Sequence, residues 1–143
     1  QKMEEFYDKK EVGALGISNC YDLDVLKYLF NNAKVKPSIV QNRFYAQSGY
    51  DKEIRVFCKE NNITYESFWS LTANPNILSS EVLQNLALKY EKGVAEIFYR
   101  FLNHIDIVPL NGTTSTKHMI EDLKIGEFEL TNDEINSILN LLN

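Results

Sequence analysis

Four short apolar runs constrain this chain most: Gly13-Ala-Leu-Gly-Ile17, Ser38-Ile-Val-Gln41, Ile63-Thr-Tyr65 and Ile105-Asp-Ile-Val-Pro-Leu110. Each is rich in Ile, Val or Leu and too short to make a helix on its own, and none alternates strictly with polar residues. That pattern suits strands covered on both faces of a parallel sheet. The first two spacings are about 25 residues each. A parallel connection needs that much chain for its crossover helix.

Helical periodicity fills the gaps. Asp22 precedes Leu23, Leu26, Tyr28, Leu29 and Phe30, read as one apolar face, and Asp51 precedes Ile54, Phe57 and Cys58. Ser80 is placed to cap a helix carrying Val82, Leu83, Leu86 and Tyr90. A second helix follows at once, with Val94, Ile97, Phe98, Phe101 and Leu102 inward. Ser115 precedes a short helix through Met119, Ile120 and Leu123, and Thr131 with Glu134 forms a capping box ahead of Ile135, Ile138, Leu139 and Leu142. The order β-α-β-α-β-αα-β-α, then a terminal helix, predicts right-handed crossovers and a parallel sheet. Two architectures satisfy it: a small open sheet with helices on both faces, or four consecutive units of a (β/α) barrel. No Pro/Gly/Ser-rich linker interrupts residues 1–143, so one domain without an internal boundary is expected.

Composition narrows the partners. With 15 basic residues against 20 acidic ones and a net charge of -5, the chain has no sequence-independent grip on nucleic acid. No apolar run approaches a membrane span, and the charged opening Gln1-Lys-Met-Glu-Glu5 is no secretory signal. A cytoplasmic protein is expected. An opening on Gln rather than Met fits a processed chain, an excised domain or a fragment. Cys20 and Cys58 lack CxxC spacing and read as reduced thiols in or near a core; with His104 and His118 they make no metal-ligand set.

In parallel α/β folds, ligands gather at the C-terminal ends of the strands. Those ends carry Ser18-Asn19, Gln41-Asn42, Ser67-Phe68-Trp69 and Asn111-Gly112-Thr113-Thr114-Ser115. Amides supply a donor and an acceptor together and an aromatic face stacks, so the set suits a flat ring bearing a carboxamide. The same residue types are also ordinary caps and turns. The last loop runs straight into a helix, and its free N–H groups and hydroxyls, with Lys117 and His118, make an anion site. Glu121 offers an internal counter-charge there. Neither a Walker loop nor GxGxxG occurs, and no Ser-His-Asp set, HExxH or carboxylate pair is visible. Glu66 is expected in a helix-covered or ion-paired position, a barrel-facing one being the alternative. Tyr45 and Tyr65 have no lysine at a strand end to lower their pKa, and His104 reads as a helix C-terminal cap.

The segments Gly13-Ala-Leu-Gly-Ile-Ser-Asn19, Val40-Gln41-Asn42-Arg-Phe-Tyr45, Ser67-Phe-Trp-Ser-Leu-Thr72 and Val108-Pro-Leu-Asn-Gly-Thr-Thr-Ser115 with Glu121-Asp122-Leu123 occur in the order and spacing of the aldo-keto reductases. The resemblance covers nearly all of this chain but only the C-terminal half of a family member. It implies an α/β fold, a parallel (β/α) barrel, as about half of a TIM-type (β/α)8 barrel: four strands with their helices. It implies NADP(H), with NAD(H) as the second option, extended across the strand ends. It also implies reduction of aldehydes or ketones to alcohols in the protein completed by its other half. By that likeness Ser18, Asn19 and Gln41 hold the nicotinamide carboxamide, Phe68 stacks on the nicotinamide, and Trp69 and Leu71 line the pyrophosphate path. Thr113, Thr114, Ser115, His118, Glu121 and Asp122 surround the adenosine 2′-phosphate end.

Three positions depart from the family. His118 stands where an arginine is usual, Phe68 where a tyrosine is usual, and Arg43 where an acid is common. The family's catalytic tyrosine and its lysine, aspartate and histidine partners belong to the first half of the barrel. No catalytic residue is therefore assigned, and the chain alone is expected to be inactive. The implied partners are the N-terminal half of the barrel, in the same polypeptide or by self-association, and a small carbonyl substrate. The alternative is a non-catalytic interaction or regulatory module derived from the same barrel, as in a regulatory subunit of glutamate–cysteine ligase.

Overall fold

The computed structural model of the chain describes residues 2–142; Gln1 and Asn143 lie outside the described residues. Strands β1 (Gly16–Ser18), β2 (Ile39–Arg43), β3 (Thr64–Phe68) and β4 (Ile107–Pro109) form one parallel sheet in the order β1-β2-β3-β4. Each strand starts later than its apolar run. β2 and β3 continue through polar residues because Asn42 pairs with Ser67 and Arg43 with Phe68, and a ladder runs as far as its neighbour supplies partners.

Strand order decides between the two architectures. Right-handed crossovers that always step to the next position lay every helix on the same side. A doubly wound sheet needs a reversal of order, and there is none among the described residues. The sheet is an arc of a barrel, and the expectation of strands covered on both faces is corrected. Val40, Asn42, Tyr65, Ser67 and Ile107 are buried beneath the helices. Between them Ile39, Gln41, Arg43, Glu66 and Phe68 are half-buried, and Val108 is 45% exposed. The uncovered face keeps apolar residues because it is built as a barrel interior, which is why the runs do not alternate in sequence.

The helices are α1 (Lys2–Asp8), α2 (Leu23–Asn32), α3 (Lys52–Glu60), α4 (Pro75–Leu78), α5 (Glu81–Tyr90), α6 (Val94–His104), α7 (Thr116–Leu123) and α8 (Asn132–Leu139). Four begin on the expected residues, α7 among them, where Ser115 Oγ accepts the His118 N–H. The Asp22 carboxylate accepts from the Asp24 and Val25 N–H groups at 2.8 and 3.2 Å, Ser80 Oγ from Leu83 at 3.3 Å, and Thr131 Oγ1 from Glu134 at 3.3 Å. Such caps contribute about 1 kcal/mol each. Nothing in the periodicity marks α1 or α4. α4 is a single turn opened by Pro75 at its first position, too short to show a period.

The core centres on α6, where Ile97, Phe98, Phe101 and Leu102 are fully buried. Phe98 lies between Phe44 and Phe101, with ring centroids 6.3 and 5.9 Å away. Leu26, Leu83 and Ile138 bring α2, α5 and α8 to the same core. Tyr28 does not join the α2 stripe and is 71% exposed. It follows Leu26 by two residues, about 200° around the helix. Met119, Ile120 and Leu123 of α7 are likewise exposed.

The C-terminal segment is tied back by polar contacts. His104 Nε2 accepts the Leu130 N–H at 3.2 Å, so it fastens that segment rather than capping its own helix. Glu134 receives Lys89 Nζ at 2.6 Å, Tyr90 Oη at 2.7 Å and the Thr131 N–H at 2.7 Å. Burial pushes this carboxyl up, but the hydrogen bonds from Lys89, Thr131 and Tyr90 outweigh it and bring its pKa down to about 2.

A carboxyl with a lowered folded-state pKa stabilises fully above its unfolded value, near 4.5, and loses that stabilisation as pH falls toward 2. Urea titrations across that window will show stability falling with pH, and Glu134→Gln will flatten the slope while costing about 1 kcal/mol at pH 7. The bare face and the edge strands β1 and β4 give a second expectation. The chain by itself will self-associate, read as a mass that rises with concentration in light scattering.

Candidate functional site

At the C-terminal ends of the strands the uncovered face is built in rows. Ser18, Gln41, Glu66 and Val108 are register partners across the sheet, and Arg43 and Phe68 form the next row above. Glu66 therefore faces the barrel side. It accepts from Gln41 Nε2 at 2.9 Å, which corrects the helix-covered or ion-paired expectation.

Beyond β1 the backbone turns left-handed at Asn19 (φ 57°). The Asn19 N–H still donates to the Gln41 carbonyl at 3.0 Å, its Nδ2 donates to Ser18 Oγ at 3.1 Å, and Tyr21 Oη donates to its Oδ1 at 3.3 Å. Ser18, Asn19 and Gln41 are thus brought together as one cluster. Its floor is a buried polar network that sequence reasoning missed. Asn42 accepts the Cys20 N–H at 2.9 Å and donates to the Cys20 carbonyl at 2.7 Å, continuing the β1–β2 pairing with a side chain. The same Nδ2 donates to Asp51 Oδ2 at 2.7 Å, and Tyr65 Oη donates to that oxygen at 2.8 Å. Burial, then the Asp51 charge, raises the Tyr65 pKa, so Tyr65 serves as a hydrogen-bond donor in the core. Burial also pushes the Cys58 thiol up to about 12. The alternation of β2 and β3 puts Asn42 and Tyr65 on the helix side, and that was the available signal.

A second group surrounds a cavity of about 640 Å³ between the β3 and β4 ends, lined by Phe68, Trp69, Leu71, Tyr99, Asn111 and Thr113 among others. Trp69 has a left-handed backbone (φ 56°) and its side chain stands 59% exposed. The loop behind it is fixed by Asn74 Nδ2, which donates to the Phe44 and Ser70 carbonyls at 2.8 Å each. Tyr99, from α6, forms the inner wall; burial, then the nearby Asp122 charge, pushes its pKa up to about 12. Only its place on the cavity wall identifies it, since in sequence it sits inside an apolar helix.

The β4 loop satisfies much of its own polarity. Asn111 Oδ1 accepts the Thr113 N–H at 2.6 Å, while its Nδ2 donates to Asp122. Thr113 Oγ1 accepts the Ser115 N–H at 3.1 Å and lies 3.4 Å from His118 Nδ1; Ser115 Oγ accepts the His118 N–H at 3.4 Å. Lys117 pairs with Glu121 at 3.6 Å, the internal counter-charge expected. Burial raises the Asp122 pKa. Thr114 is exposed. The candidate residues therefore form two neighbouring groups, Ser18–Asn19–Gln41 and the Phe68–Thr113 cavity with its His118 side, rather than one enclosed pocket. Among the described residues no group of three His, Cys, Asp or Glu is placed to hold a metal, and no helix is long and apolar enough to cross a membrane.

No protein-family model matches the chain. It is 29% identical over 136 residues to a glyoxal reductase of Bacillus subtilis, covering 95% of this chain and 48% of that protein. It is 28% identical over 142 residues to aldose reductase B of Dictyostelium discoideum, covering 99% and 45%. The chain spans about half the length of the curated relatives it matches. Among solved structures, an aldo-keto reductase enzyme from a Medee basin deep-sea metagenome library superposes with a TM-score of 0.87 at 26% identity, covering 99% of this chain and 52% of that one. An aldo-keto reductase complexed with NADPH shares the fold, with a TM-score of 0.81 at 20% identity over 96% of this chain and 45% of that one. Sequence and fold agree that this chain is related along nearly its whole length to the aldo-keto reductase family and folds as about half of that family's (β/α)8 barrel.

Proposed function

We propose that this chain is the C-terminal, cofactor-binding half of an NADP(H)-dependent aldo-keto reductase that converts aldehydes or ketones to alcohols. The carrying observation is that Ser18 and Gln41, partners in the β1–β2 register, share the uncovered face with Phe68, beside a cavity that reaches Thr113. In this reading Ser18, Asn19 and Gln41 hold the nicotinamide carboxamide. The Gln41 amide is already oriented by Glu66, which leaves its carbonyl free to accept. Phe68 supports the nicotinamide ring, Trp69 and Leu71 line the path of the diphosphate, and the Thr113–His118 loop with Glu121 and Asp122 takes the adenosine end. When bound, the cofactor supplies the hydride, and the other half of the barrel supplies the proton donor and most of the substrate pocket. That half, in the same polypeptide or as a second chain, covers the bare face. The relatives' reductase names and the NADPH held by one structural neighbour support this reading. A cytoplasmic location accords with it.

A non-catalytic barrel module is the second reading. It is favoured by one feature, the self-satisfied hydrogen bonds of the Thr113–Ser115 loop. Binding separates the two. NADPH titrated into the completed barrel, followed by the cofactor's own fluorescence or by calorimetry, will bind saturably under the first reading; no binding favours the second.

His118 sets a further expectation. An imidazole lacks the donor fork with which a guanidinium grips a phosphate. His118→Arg will raise the preference for NADP⁺ over NAD⁺ by about tenfold, measured as the ratio of the two dissociation constants.

A further inference from the structure

Arg43 has an arrangement that the reading above leaves unused. Its guanidinium carbon lies 4.3 Å from the Trp69 ring centroid and 5.3 Å from that of Tyr45. Tyr45 is itself braced edge-on by Tyr21 at 6.0 Å, and Tyr21 Oη accepts the Arg43 N–H at 3.0 Å. Among the described residues, no carboxylate pairs with the guanidinium and no acceptor takes its hydrogen bonds, although the chain carries 20 acidic residues. By contrast, Lys117 at the same rim has Glu121. Aromatic contacts hold a guanidinium without consuming its in-plane N–H groups, so the donor fork is positioned and still vacant. The support is costly to build. Trp69 takes a left-handed backbone, which a bulky residue adopts only at a cost, and its indole stands largely in solvent.

Place in the fold gives the ligand. Arg43 is the register partner of Phe68 and lies two residues beyond Gln41 on the same face. Trp69, on which it stacks, is a wall of the cavity that continues to Asn111 and Thr113. A dinucleotide lying from Gln41 to the Thr113 loop must carry its anionic middle past Trp69. We propose that Arg43, held against Trp69 and Tyr45, is the residue that grips the diphosphate of that dinucleotide through paired N–H donors to its oxygens. The inference rests on the cofactor reading above and adds to it the residue that fixes the cofactor's charged centre. It also gives a physical account of a basic residue where the family commonly has an acid.

The test is calorimetric titration of the completed barrel with NADP⁺, with ADP (a diphosphate without nicotinamide) and with adenosine 2′-monophosphate (no diphosphate). Arg43→Gln will weaken NADP⁺ and ADP by about tenfold or more and leave adenosine 2′-monophosphate unchanged. Arg43→Lys will recover part of the loss, since it keeps the charge and loses the fork. Trp69→Leu will weaken the same two ligands, and the salt dependence of NADP⁺ binding will be shallower in Arg43→Gln. Equal loss for all three ligands, or less than a twofold change for ADP and NADP⁺, overturns the proposal while the cofactor reading stands. A change confined to the KM of an acidic carbonyl substrate overturns it too and moves the guanidinium to the substrate. A wild-type protein that binds none of the three overturns both.

Discussion

The chain visits its strands in spatial order, and parallel crossovers are right-handed as a rule. These two facts place the helices together on one side and leave the other side of the sheet bare. Burial then divides each strand by parity: Val40, Tyr65 and Ile107 enter the core, while their neighbours Gln41, Glu66 and Val108 look into what is a hollow in a closed barrel. The candidate site follows from the same constraint. Its residues are the bare-face side chains nearest the C-terminal strand ends, together with the loops that leave those ends.

A buried polar network adjusts this frame at its rim. Backbone pairing between β1 and β2 stops after Asn19, where a left-handed turn redirects the chain. The Asn42 side chain takes over by bonding both the N–H and the carbonyl of Cys20, and Asp51 and Tyr65 complete its surroundings. A buried amide left without partners is expensive, so the fully engaged Asn42 fixes the loop more stringently than an apolar residue does. Ser18 and Asn19 inherit their positions from it.

Sequence reading recovered the strands, the caps at Asp22, Ser80 and Thr131, and the strand-end residues, because these depend on local spacing. It gave too much weight to the absence of strict alternation, since a barrel interior is apolar yet uncovered in this arc. Tyr28 was misassigned for a simpler reason: a run of neighbouring apolar residues cannot all share one helix face. Glu66, Tyr99 and the Asn42–Asp51 pair needed tertiary placement, as each is defined by a contact that local spacing does not show. The Arg43–Trp69 stack was invisible for the same reason: Trp69 reads as a strand-end residue and Arg43 only as a departure from the family, and nothing local joins them.

Sheet pairing only between consecutive strands bears on how such a chain is made. Each new strand docks on the one just completed, so the loop closed at every step stays short and its entropic cost does not grow with the number of units already laid down. Such pairing permits growth at a front, in which a partial arc presents a template for the next unit. The seam between two arcs of a parallel barrel asks for the same parallel pairing as every other step.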